Sequence, residues 1–178
     1  STSAKVDPKS ISERKCFLCE DNLPAEQKGI LYNDNYIILC NPFPIFPTHF
    51  TLTHKEHTPQ RIIDTFSDML DLSKDLSKHY SVIYNGPRCG ASAPDHLHFQ
   101  AGNKYFMTVD EEFHQIKNEY GKVIYEDDNL SFYAIDDGVR KFVSIESLDK
   151  ELIADTFNKF YKTYSELMNE EQEPMINL

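Results

Sequence analysis

The sequence predicts an α+β protein, a mainly antiparallel sheet with helices packed on it. Three stretches carry that expectation. Gly29 to Cys40, GILYNDNYIILC, sets the polar turn Asn33-Asp34-Asn35 between two apolar runs, the pattern of a hairpin. Ile62, Phe66, Met69, Leu70 and Leu76 recur at helical spacing. His96-Leu97-His98-Phe99-Gln100 alternates polar and apolar residues, so on a strand two imidazoles and an amide share one face while Leu97 and Phe99 face a core.

The first ten residues, STSAKVDPKS, have no apolar run and are expected to form a loose tail over residues 1–12 rather than a secretory signal. After the hairpin, NPFPIFPTHF carries three prolines and reads as a stiff, extended connection. Phe50 to Thr53 is an expected strand. Thr58-Pro59 is expected to open the helix, with Thr58 as N-cap and proline at the first helical position. SVIYN is a short strand before the loop Asn85–Asp95, and HLHFQ follows it.

The second half repeats this order. KVIYEDDNLSFYAI is a second apolar-turn-apolar hairpin, VRKFVSIES a further strand, and a helix is expected from about Leu148. That helix carries IADTF where the first carries IIDTF, and Phe157 to Asn177 nearly matches Phe66 to Asn85 in separation. The expected division is a first half over residues 13–108 and a degenerate, incomplete second copy over residues 109–178; chance similarity between two amphipathic helices is the alternative.

Net charge is −11, from 18 basic and 29 acidic residues, so the surface repels polyanions and broad nucleic-acid binding is not expected. No apolar run reaches membrane-spanning length, and a cytoplasmic protein is expected. Of the four cysteines, Cys16 and Cys19 have the C-x-x-C spacing that lets two thiolates reach one Zn²⁺. His54 or His57, in THKEH, and His96 are the candidates for the remaining ligands. Two thiolates and two imidazoles close a tetrahedron, which is the structural kind of zinc site. Arg88 is the candidate cation of the loop before HLHFQ. His49 reads as a packing residue, His79 and His114 as ordinary exposed ones, and Cys40 and Cys89 as isolated thiols.

CFLC, NPFPIFPTHF, THKEH and the glycine-containing loop before HLHFQ occur in an order that resembles the histidine-triad superfamily. His-x-His-x-Gln in place of three histidines is similar to the transferase branch, which holds galactose-1-phosphate uridylyltransferases and the nucleotide-sugar and dinucleoside polyphosphate phosphorylases. HLHFQ is similar to the plant-type GDP-galactose phosphorylases, and CFLC to the zinc-binding start of the uridylyltransferases. The resemblance covers about Cys16 to Gly102.

It implies a histidine-triad-like fold in two copies, and a structural zinc on Cys16, Cys19, His57 and His96, with His54 standing where the family has a proline. It implies that His98 attacks the α-phosphorus of a nucleotide and that Gln100 holds a phosphoryl oxygen. Asn41 would touch the ribose, and Asn85, Gly90 and Ser92 would line the phosphate loop. One extra residue between Ser92 and His96 departs from the family pattern, and Asp95 brings negative charge to that loop. The expected activity is nucleotidyl transfer from a nucleotide sugar or dinucleoside polyphosphate to phosphate or a sugar phosphate. The alternatives are a nucleotide hydrolase and a non-catalytic nucleotide-binding module. A homodimer is also expected.

Overall fold

The computed structural model describes residues 7–169 and 172–178; the part of the expected tail at residues 1–6 lies outside them. It divides into two units. The first comprises Ser1–Asn103 with Glu170–Leu178, and the second Lys104–Asn169.

In the first unit the helix α1 (Pro8–Glu13) is capped by the Asp7 carboxylate, which accepts from Ser10 N at 3.0 Å. Residues 8–12 are thus helical rather than tail. A 3₁₀ turn at Glu20–Asn22 follows. Then β1 (Gly29–Tyr32) and β2 (Tyr36–Cys40) make the expected hairpin. Asn33 and Asp34 at its turn have φ of 46° and 58°, the left-handed region that Asn and Asp tolerate. Three more strands, β3 (His49–His54), β4 (Tyr80–Ile83) and β5 (His98–Asn103), complete an all-antiparallel sheet ordered β1-β2-β3-β5-β4.

Register sorts the two faces. Tyr36, Ile38, Leu52 and Phe99 share one face, because Ile38 pairs with Leu52 and Leu52 with Phe99. The helix α2 (Phe66–Leu76) covers that side: Tyr36 donates its hydroxyl hydrogen to Asp68 at 2.7 Å, and Met69 and Leu72 are buried. Burying each such side chain contributes about 1.5–3 kcal/mol. The opposite face carries Ile37, Thr53 and His98 in one row and Leu39, Thr51 and Gln100 in the next.

The expected helix start is corrected. Thr58 and Pro59 are not helical, and α2 begins eight residues after Thr58. The backbone here is committed elsewhere: Leu97 N donates to Thr58 O at 2.7 Å and Gln60 N to Pro94 O at 3.2 Å. The Thr-Pro signal is local, and the approach to β5 overrides it.

The second unit holds α3 (Thr108–Tyr120), which the sequence reading did not anticipate, then β6 (Gly121–Glu126), β7 (Ser131–Asp136) and β8 (Lys141–Glu146) as an antiparallel meander. It ends in α4 (Lys150–Met168), whose N-cap Asp149 accepts from Leu152 N at 3.1 Å and whose C-cap Asn169 is left-handed at φ 51°. Its core holds Ile116, Leu130, Ile135, Phe157 and Tyr161.

The unit boundary falls between Asn103 and Lys104, and the last residues go with the first unit, not with the second as expected. The buried carboxylate of Glu173 accepts from Ile62 N at 2.7 Å and from the Tyr84 hydroxyl at 2.5 Å. Leu178 and Tyr84 exchange two backbone hydrogen bonds, and Asn177 bridges Asn85. Among the described residues no helix is long and apolar enough to cross a membrane.

Candidate functional site

Four of the predicted residues converge. One ligand atom from each of Cys16, Cys19, His57 and His96 lies within 4.8 Å of the others, forming a cluster that could hold a metal ion. Cys16 Sγ is 3.3 Å from His96 Nδ1, Cys19 Sγ 3.2 Å from His57 Nδ1 and 3.5 Å from His96 Nδ1. A tetrahedron with zinc bond lengths has sulfur–nitrogen edges of about 3.6 Å, so the donor set fits that ion with little movement. The surroundings prepare it. His96 Nε2 donates to His54 O at 2.7 Å, which leaves Nδ1 as the lone pair facing the thiols. Burial, then the neighbouring Cys16, pushes the Cys19 thiol up to about 11; two adjacent thiolates need a cation between them. His54 stands outside the cluster, its Nδ1 accepting from Glu56 N at 3.1 Å.

Asp95 is tied to the basic side chains beside the cluster. Its carboxylate takes a 2.6 Å ion pair with Arg14, and His57 Nε2 lies 3.9 Å away.

His98 follows the cluster by two residues and opens β5. Its Nδ1 lies 2.8 Å from the carbonyl of His96, two residues before it and outside the strand, so Nδ1 carries the hydrogen and Nε2 the lone pair. Nε2 has no hydrogen-bond partner among the described residues, and His98 keeps 4% of its surface exposed. Burial, the largest influence, lowers its pKa and holds the ring neutral.

The backbone of His98 is clamped by a residue that sequence reasoning missed. Gln60 is 2% exposed; its Nε2 donates to His98 O at 2.9 Å and Asn85 O at 3.0 Å, while Oε1 accepts from His98 N at 2.8 Å. A polar residue beside Thr-Pro gave no periodic signal, since its partners are 25 and 38 positions away.

Gln100 lies across from Thr51 on the His98 face, and its Oε1 is 2.8 Å from His49 Nε2. Asn41 donates to Thr51 Oγ1 at 3.1 Å and accepts from Phe43 N at 2.8 Å, so its amide shapes the connection between β2 and β3. In the loop, Asn85 is tied to Gln60, Gly90 has a φ of 103°, and Ser92 is exposed. Arg88 is turned to the chain's end, its Nη2 donating to Glu173 O at 3.0 Å. Beyond Thr51 and Thr53 on the same sheet face lies a groove of about 420 Å³, lined by Leu23, Pro24, Gly29, Leu31, Ile37 and Leu39 among others.

A family profile described as "Domain of unknown function (DUF4922)" matches residues 1–103, more than half of the 178-residue chain. The chain belongs to this family. The matched part of the DUF4922 protein holds the Cys/His cluster, Gln60, His98 and Gln100. Among solved structures it is similar to a HIT family hydrolase from Clostridium thermocellum, at 22% identity and a TM-score of 0.36, over 49% of this chain and 86% of that one. No curated protein matches it.

Proposed function

We propose that this DUF4922 protein is a nucleotidyltransferase of histidine-triad type, in which His98 carries a nucleoside monophosphate between two acceptors. The observation that carries the reading is the hydrogen bond from His98 Nδ1 to the His96 carbonyl, which leaves an unpartnered, neutral Nε2. In the first step the Nε2 lone pair forms a bond to the α-phosphorus as the bond to the leaving phosphate or sugar phosphate breaks. In the second, inorganic phosphate or a sugar phosphate displaces the histidine, and the imidazole leaves neutral again.

The groove supports a nucleotide as the carried group. Its strand β2 lies two strand spacings from β5, about 10 Å, and Gln27 and Lys55 line it beside the apolar side chains, a mixed surface suited to a base and its polar edge. Gln100 lies beside His98 on β5, two residues along on the same face, suited to hold a phosphoryl oxygen. Asn41, Asn85, Gly90 and Ser92 are proposed to surround the ribose and phosphates. Arg88, held by the Glu173 carbonyl, is proposed to contribute charge from the loop rather than a direct clamp.

Cys16, Cys19, His57 and His96 would hold a zinc ion, which supplies a fixed crosslink at the start of β5 and no chemistry. The meander β6-β7-β8 followed by α4 has the order of β1-β2-β3 followed by α2, which supports a degenerate second copy of the fold.

The test is intact-protein mass spectrometry after exposure to a panel of nucleotide sugars and dinucleoside polyphosphates, with and without phosphate. One added nucleoside monophosphate on wild type, absent in His98→Ala and discharged by phosphate, is expected. Release of free mononucleotide that is indifferent to phosphate would make the protein a hydrolase. Tight nucleotide binding with no label would make it a binding module.

A further inference from the structure

Nothing in the sequence pattern gave His49 a role beyond packing, yet both nitrogens of its ring are engaged. Ile45 N donates to Nδ1 at 3.3 Å, so Nδ1 must be the acceptor and Nε2 must carry the hydrogen. Nε2 faces the side chain of Gln100 at 2.8 Å, and the atom it meets there has to be the amide oxygen. With its oxygen held by His49, the Gln100 amide directs its NH₂ away from that ring, and the NH₂ has no hydrogen-bond partner among the described residues.

The ring itself is fixed. His49 is 6% exposed, and Phe46 packs edge-on against it with centroids 5.2 Å apart. Phe46 in turn occupies the space over Gly102, where a Cβ would fall within its ring. Gly102 pairs with His49 across β3 and β5. The order Gly102, Phe46, His49, Gln100 is therefore one packed and hydrogen-bonded relay.

We infer that His49 is a positioning residue that sets the polarity of the Gln100 amide, so that the group beside His98 offers only N–H donors to its ligand. The inference rests on the nucleotidyl-transfer reading for its ligand. An amide free to rotate by half a turn would present its oxygen to a phosphoryl oxygen in one of its two orientations, and acceptor would meet acceptor. The locked amide selects a ligand that accepts there and rejects one that donates.

Two measurements test it. The first is the rate of nucleotide labelling of His98 in a double-variant cycle. His49→Phe keeps the ring and its packing on Phe46, and is expected to slow labelling about 10- to 100-fold with nucleotide affinity little changed. In a Gln100→Ala background the same substitution is expected to have no further effect. An equal loss in both backgrounds would mean that His49 acts on folding alone, and would overturn the inference.

The second is ¹⁵N NMR of the His49 ring in the wild-type protein, which needs no activity. An Nε2–H tautomer is expected, and an Nδ1–H tautomer would overturn the proposal. A wild-type protein that takes no label but shows the Nε2–H ring would sink nucleotidyl transfer while leaving the set of the amide standing.

Discussion

Tyr84 donates its hydroxyl hydrogen to Glu173 at 2.5 Å, joining the residue before the Asn85–Asp95 loop to a carboxylate 89 positions along the chain. Both groups are buried, and the other oxygen of Glu173 takes the backbone hydrogen of Ile62. The chain's last residues thereby hold the two segments that flank His98: the Gln60 clamp and the loop. This arrangement and the clamp each lead to one expectation, and the Cys/His cluster and His49 to one more each.

Glu173→Gln replaces two acceptors by one acceptor and one NH₂. Either Ile62 N or the Tyr84 hydroxyl then faces a donor, which costs about 1–3 kcal/mol. Urea unfolding is expected to show a lower midpoint with an unchanged slope. An unchanged midpoint would show that the carboxylate contributes nothing to the fold.

Gln60→Glu puts a carboxylate against two carbonyl oxygens, those of Asn85 and His98, which now receive the amide's hydrogens. Both carbonyls lose their donor and face a buried charge that keeps only the hydrogen of His98 N, at a cost of about 3 kcal/mol or more. Thermal unfolding should register this directly, and backbone amide exchange at His98 should accelerate. Protection at His98 equal to wild type would remove Gln60 from the account.

The freshly purified protein is expected to contain one zinc per chain. Cys16→Ser or a strong chelator should remove it and unfold the first unit, since structural zinc couples to folding by on the order of 10 kcal/mol. Cys40→Ser and Cys89→Ser should keep full zinc content. Elemental analysis distinguishes these outcomes, and a folded, zinc-free wild type would contradict the site.

Burial, only partly opposed by the bond to Gln100, lowers the His49 pKa in the folded state. Below about pH 6.5 the unfolded chain takes up a proton there that the folded protein resists, so stability falls with pH. The contribution is up to about 1.4 kcal/mol per pH unit, beginning near pH 6.5 and ending at the lower folded value. Stability of His49→Phe, measured by denaturant at each pH from 7 to 5, should fall less steeply than wild type. Parallel curves would show that His49 titrates normally.

The hairpins, the strand expected at Phe50 to Thr53 and the His98-Phe99-Gln100 part of HLHFQ were legible because apolar periodicity is a local property. So was the pairing of His98 with Gln100 on one face, which needs only the alternation of a strand. His96 and Leu97 precede β5, so the expected row of two imidazoles and an amide shortens to His98 and Gln100. Of the cluster, the C-x-x-C spacing was visible in the residues, while the choice of His57 over His54 rested on family resemblance. The helix start was misplaced because Thr58-Pro59 is a good local cap whose backbone is claimed by Leu97, and α3 lay in a stretch whose polar surface masks its period.

The sequence by itself determined the alternation of sheet and helix, the two thiols at metal spacing and the polar row on the site-bearing strand. These depend on neighbours a few residues apart, where side-chain direction follows from backbone period alone. Only the tertiary structure decided which ring nitrogen of His98 is left unpartnered, that Gln60 clamps it, that His49 holds the Gln100 oxygen, and that the chain's end closes on Tyr84 and Ile62. Each is a hydrogen bond between groups brought together by the sheet, and such contacts leave no periodic trace along the chain.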